Sequence, residues 1–198
     1  MDRKKVIVNV GRQIGSGGHI VGKILAERLC CDFYDKEILN LAAKESGFSE
    51  EFFRQKDESK GFFSSFFHFD SYFYKNDLSD ESLFKFQSDA IRKAAASSPC
   101  VFVGRCADYV LRDMANIVNV FITADFQDRL RNVSERLDCD KQQAKHIIES
   151  GEKSRASYYN FYTGKKWGDS SSYDLCISTS RLGTDGVVDF IEKYIDRL

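Results

Sequence analysis

The sequence predicts an α/β fold, a three-layer sandwich in which helices cover both faces of a mostly parallel sheet. Three observations carry that expectation. Short apolar runs at residues 6–10, 100–103 and 117–122 alternate with longer stretches whose apolar residues recur at helical spacing. The first run leads into a turn with four glycines in eight residues (Gly11, Gly15, Gly17 and Gly18) and then into a helix. Finally, Gly11, Asp35, Arg105 and Ala124 all fall at the C-terminal ends of strand runs. That edge of a parallel sheet is where ligands bind. A chain of 198 residues suffices for one domain with a good core, spanning 1–198.

Taken in order, Val6, Val8 and Val10 alternate as in a buried strand, and Val21, Ile24, Leu25 and Leu29 mark one face of the first helix. The segment DFYD at 32–35 closes a second strand, after which Asp35 heads a helix stopped by Gly47. Ser49, followed by Glu50 and Glu51, marks another helix start. Residues 61–74 hold eight aromatic residues in fourteen, with Phe62, Phe66, Phe69 and Phe73 at helical spacing. So much apolar surface reads as a core face or a subunit contact, hence a possible homodimer; a base-stacking platform is the lesser reading.

Ser79 opens a longer helix carrying Leu83, Phe86, Ala90, Ile91 and Ala94, which ends before Pro99. The strands CVFV and IVNVFI follow, then a helix that buries Leu130, Val133 and Leu137. Asp140 caps a segment expected to form two helical pieces broken near Gly151. Residues 163–172, TGKKWGDSSS, have the composition of a mobile loop. The strand DLCIS and a closing helix from Thr184 complete the chain.

Strand, glycine turn and helix together form a context in which backbone amides can hold an anion. The dinucleotide pattern G-x-G-x-x-G fails, because Ile20 stands where its third glycine belongs. The pattern G-x-x-x-x-G-K-[ST] is met only loosely: Gly11 lies one residue too far from Gly17, Gly18 replaces lysine, and His19 replaces Ser or Thr. A turn without a ligand is the plainer alternative to an anion-binding loop. If phosphate binds here, its charge must be met by other cations. Arg12 in the loop, Arg105 after the third strand run, and Lys153, Arg155, Lys165 and Lys166 around the 163–172 loop are candidates. Asp35 could orient an acceptor hydroxyl, hold a hydrated magnesium ion, or simply cap its helix.

Several chemistries find no support. The three histidines, His19, His68 and His146, form no H-x-x-x-H pair for zinc, and no G-x-S-x-G elbow is present. Cys106 reads as a small buried residue rather than a reactive thiol. With 29 basic and 30 acidic residues, bulk charge draws the protein to neither nucleic acid nor an anionic membrane. Six cysteines without C-x-x-C, a start too short and alternating for a signal peptide, and no long apolar run lead us to expect a soluble cytoplasmic protein.

In combination, GRQIGSGGHIVGKILAERL, FYDKEIL, VFVGRCAD, VFITADFQDRLR and YYNFYTGKKWGDSSSYDLCIST resemble the cytidylate kinase-like family of P-loop proteins. The resemblance implies a nucleoside monophosphate kinase fold, with a helical acceptor-binding insertion at about 36–97 and a lid at about 138–172. It also implies ATP with Mg2+ and a nucleotide acceptor such as CMP or dCMP. By position, Gly15, Ser16, Gly17 and Gly18, with His19 beside them, match the phosphate loop, and Arg105 matches the arginine holding the acceptor phosphate. Cys106 stands where that segment has Asp. Arg129 and Arg131 match arginines after the T-A-x turn; Arg155 matches the lid arginine, with Glu152 in place of the lid's acid; Asp174 matches the acid before the last strand. The loop lacks the lysine and hydroxyl of the family pattern, so a nucleotide-binding protein without turnover stands as the alternative function.

Overall fold

The computed structural model describes residues 6–35 and 80–198, with side chains of the second block from residue 84. Five strands, β1 (Ile7–Arg12), β2 (Asp32–Tyr34), β3 (Cys100–Val103), β4 (Ile117–Thr123) and β5 (Leu175–Ser178), form one sheet in the order β2-β3-β1-β4-β5. Every neighbouring pair is parallel. Central β1 pairs Ile7 with both Cys100 and Ile117, so both of its edges are hydrogen-bonded.

The two faces are covered by different helices. Val8, Val10, Val101, Val103, Val120 and Ile122 pack against α1 (Gly18–Arg28) and the closing helix. Ile7, Cys100 and Phe102 pack on the other face against α2 (Asp80–Ser97) and the short α3 (Ala107–Val110). A third cluster joins α4 (Phe126–Leu137) to α5 (Lys141–Thr163) through Leu130, Val133, Ala144 and Ile148. Ile14, from the glycine turn, is buried in that third cluster, so the turn is anchored to the α4–α5 pair.

Asp140 caps α5, its carboxylate accepting from the Gln143 amide at 2.8 Å. The expected break at Gly151 does not occur: α5 runs unbroken for 23 residues to Gly164, which is left-handed at φ 67°. An interior glycine costs only about 1 kcal/mol relative to alanine. Packing of Ala144, Ile148 and Tyr159 on both sides of it holds the helix together. The closing helix α6 (Thr179–Ile195) starts with a turn capped by Ser178, breaks at Gly183, and continues from Thr184 as the sequence predicts. Asp174 sets the register of β5: its amide donates to the Asn119 carbonyl at 2.8 Å and its carboxylate accepts from the Asn119 amide at 2.7 Å.

The 163–172 loop holds one 3-10 turn, Ser170–Ser172, capped by Asp169. The expected helices after Asp35 and Ser49 and the aromatic run at 61–74 lie outside the described residues, as does most of the insertion. Among the described residues, no helix is long and apolar enough to cross a membrane.

Leu25 is fully buried between α1 and the sheet. Leu25→Ala is expected to lower unfolding free energy by about 2–5 kcal/mol. Urea denaturation would show this as a lower midpoint at unchanged slope.

Candidate functional site

The turn between β1 and α1 is held mainly by its carbonyl groups. The Gln13 carbonyl accepts from the Ser16 hydroxyl at 2.9 Å, the Ser16 carbonyl from the Thr179 hydroxyl at 2.9 Å, and the Gly15 carbonyl from the Asn132 side chain at 2.9 Å. The Gln13 amide donates to the Ile122 carbonyl at 3.0 Å, and its side chain accepts from the Ala124 amide at 3.3 Å. Ile14 donates to the Glu152 carboxylate at 3.3 Å. By contrast, the amides of Gly15, Gly17, Gly18 and His19 donate to no protein atom among the described residues.

Gly15 and Gly17, at φ 79° and 77°, flank Ser16. Left-handed residues in such a turn aim neighbouring N–H groups into one concavity. The eleven-residue helix α1 begins there and adds the positive end of its dipole. Position 15 is closed to any side chain, since a Cβ would lie 2.7 Å from the Arg129 carbonyl oxygen.

Arg12 explains the glycine that replaces lysine. A Cβ at position 18 would lie 2.4 Å from the Arg12 Cβ, and one at position 104 would lie 2.2 Å from Arg12 Nη1. The Arg12 side chain therefore runs across the start of α1 and over the turn after β3. Its Nη2 reaches to 3.9 Å from Asp35 Oδ1. Asp35 is buried, and its other oxygen is 2.9 Å from His19 Nδ1. Burial pushes the Asp35 carboxyl upward, but the His19 hydrogen bond and the charges of Arg12 and Arg105 outweigh it and hold the group below its ordinary value. His19 itself is half exposed and meets the Phe33 ring edge-on at 5.5 Å.

Arg105 belongs to the same charge cluster, since its field reaches Asp35. It lies in a turn where Gly104, Arg105 and Cys106 all have positive φ (80°, 63° and 55°). Two consecutive non-glycine residues in this region cost of order 1–3 kcal/mol each and persist where surrounding structure enforces them. Cys106 is buried, and burial pushes its thiol well above the ordinary range, which fits a packing residue.

Helix α5 fastens the site from above. Arg155 donates to the Arg12 carbonyl at 3.1 Å. Glu152 accepts from Ile14 and forms a short ion pair with buried Arg129. Arg129 thus braces the turn through Glu152. Tyr159 of α5 donates to Asp108, on α3, at 2.7 Å. Lys165 is exposed but close enough for its charge to act on Asp108. Lys153 is exposed on α5, and Arg131 is exposed on α4, where it pairs with Asp128 at 2.7 Å. Phe84 of α2 stacks on Tyr162 of α5 at 4.0 Å, joining the two helices.

The structure therefore gathers Arg12, Asp35, His19, Arg105 and Arg155 around the glycine turn, while Lys153 and Arg131 are exposed on α5 and α4, next to Glu152 and Asn132, which bond the turn. Sequence reasoning missed the braces Gln13, Asn132, Thr179 and Asp108. Gln13 and Thr179, each directly after a strand's C-terminal end, stood where the strand-end rule would have directed attention.

A family model described as cytidylate kinase-like family matches residues 7–181. The chain belongs to the cytidylate kinase-like family. The cytidylate kinase of Methanococcus vannielii is 26% identical over 96% of this chain and 99% of that protein. The cytidylate kinase of Methanococcus maripaludis is 28% identical over 98% and 99%. A crystal structure of an uncharacterized protein from Eubacterium ventriosum is 33% identical, with a TM-score of 0.76 over 98% of this chain and 99% of that one. Shikimate kinase from Bacteroides thetaiotaomicron shares the fold, at 13% identity and a TM-score of 0.54 over 96% and 98%. The P-loop kinase-like α/β architecture of the family is thus the architecture of this chain.

Two groups follow the family, a nucleoside triphosphate and Mg2+. The amides of Gly15, Gly17, Gly18 and His19 suit the phosphates. The hydroxyls of Ser16 and Thr179 donate to backbone carbonyls and keep their lone pairs, and the Asp35 carboxylate lies beside His19 and Arg12. Among the described residues, no group of three or more His, Cys, Asp or Glu side chains could hold a metal ion by itself.

The Asp108–Tyr159 brace makes a prediction about pH. Burial raises the Asp108 carboxyl above its ordinary 3.8, with the Tyr159 hydrogen bond and Lys165 opposing. An acid that binds protons more tightly when folded stabilises the fold below its unfolded value, and that gain is lost as pH rises through the folded value. Stability should therefore fall as pH rises from 3.8 through the raised value. Asp108→Asn keeps an acceptor for Tyr159 and should remove this part of the decline, as read from urea midpoints across that range.

Proposed function

We propose that this protein transfers the γ-phosphoryl group of ATP to a small acceptor, with CMP or dCMP as the first acceptors to test. The observation that carries the reading is the set of loop amides without protein partners beside a converged cluster of arginines. The four amides cradle the donor phosphates. Arg12, lying over Gly104 and Gly18, supplies the positive charge that the loop lysine gives in the family pattern. Arg105 holds the acceptor's anionic group. Its strained turn fixes where the guanidinium stands. Arg155, bonded to the Arg12 carbonyl, offers a further cation from the lid.

Asp35 serves as the fixed negative charge that sets Arg12 and His19 in place. Phosphoryl transfer needs little covalent chemistry from the protein, so positioned cations and amides can supply most of the rate. A divalent cation, when bound with the nucleotide, neutralises phosphate charge. The chain's own residues align donor and acceptor, and closure of the lid side excludes water.

The test is product formation by the full-length protein, with ATP and either Mg2+ or Mn2+, over a panel of nucleoside monophosphates. CDP or dCDP is the expected product. Arg105→Ala should lower kcat/KM for the acceptor on the order of ten- to a hundredfold, the worth of a charge-assisted hydrogen bond. A panel with no product, together with calorimetric nucleotide binding, favours the second reading, a binder without turnover, which the absent loop lysine motivates.

A further inference from the structure

A single carboxylate oxygen of α5 holds two parts of the site at once. Glu152 Oε1 accepts from the Ile14 amide at 3.3 Å and from Arg129 Nη1 in a short ion pair. Ile14 immediately precedes Gly15, the first of the four open amides, and its side chain is buried among Leu130, Val133, Ala144 and Ile148. Gly15 is gripped from its other side. Its carbonyl accepts from Asn132 at 2.9 Å, and its Cα lies so close to the Arg129 main chain that no side chain fits. The peptide joining Ile14 to Gly15, which carries the first open N–H, is therefore held at both ends by α4 and α5.

A carboxylate this near a phosphate-binding turn repels the ligand unless its charge is matched. Arg129 matches it. The Arg129 side chain is only 8% exposed, its Nη1 is committed to Glu152, and its buried Nε has no hydrogen-bond partner among the described residues. Little of that guanidinium is open to a ligand. Resting on the phosphate-binding reading of the turn, we propose that Glu152 and Arg129 are positioning residues for the donor phosphates. Glu152 sets the peptide before Gly15, Arg129 fixes and neutralises Glu152, and neither touches the phosphates.

The experiment measures binding of inorganic pyrophosphate to the full-length protein by calorimetry. Glu152→Ala raises the local positive charge by one, so a purely electrostatic role would tighten binding. Positioning weakens it instead, by about tenfold, the worth of one charge-assisted hydrogen bond. Glu152→Gln keeps an oxygen able to accept from both donors and should recover most of that loss. Adding Arg129→Met to Glu152→Ala should cost nothing further, because Arg129 acts through the carboxylate. The double variant also leaves no unpaired buried ion to unfold the protein. Pyrophosphate bound by the Ala or double variant as tightly as by the wild type overturns the assignment and leaves the phosphate-binding reading intact. So does a Gln variant as weak as the Ala variant, or a further loss on adding Arg129→Met. A wild-type protein that binds neither pyrophosphate nor ATP with Mg2+ overturns both.

Discussion

Much of the site depends on the path of one side chain. Arg12 leaves the end of β1, crosses the first residue of α1 and covers Gly104 before meeting Asp35. Glycine is required at position 18 because a Cβ there would collide with Arg12 Cβ, and it is favoured at position 104 by a φ of 80° beside the Arg12 guanidinium. Arg12 thus fills, from the strand side of the turn, the space that a side chain at position 18 would need. The buried Asp35 carboxylate lies at the end of that path, 3.9 Å from Arg12 Nη2.

The same turn is tied to α5. Ile14 is buried between α4 and α5, Glu152 accepts from its amide, and Arg155 donates to the Arg12 carbonyl. The unbroken α5 carries both Glu152 and Arg155, so displacement of its middle displaces the loop. Its far end is fixed separately, through Tyr159 on Asp108 and the Tyr162–Phe84 stack. The glycine turn and the segment after β3 are thus both fastened to one helix.

The sheet and the order of its elements were legible in the sequence because buried parallel strands are runs of Val and Ile, and amphipathic helices repeat at fixed spacing. Arg105 and Asp35 were legible as residues at strand ends. The break expected at Gly151 was misread because local glycine propensity is weak beside the packing of Ile148 and Tyr159. Arg129 sits in the matching family position but is buried against Glu152, and no one-dimensional pattern records that an arginine's partner lies 23 residues away on another helix. The route of Arg12 could not be read in advance either, because it depends on the separation of β1 and β3 in space.

The most direct test of the oxyanion nest is a backbone amide titration by nuclear magnetic resonance, following 1H–15N signals as inorganic pyrophosphate is added. The account predicts saturable shifts, largest at Gly15, Gly17, Gly18 and His19, with the Ile14 amide moving least because Glu152 already holds it. Saturable shifts centred elsewhere, or none at these four amides, would contradict it.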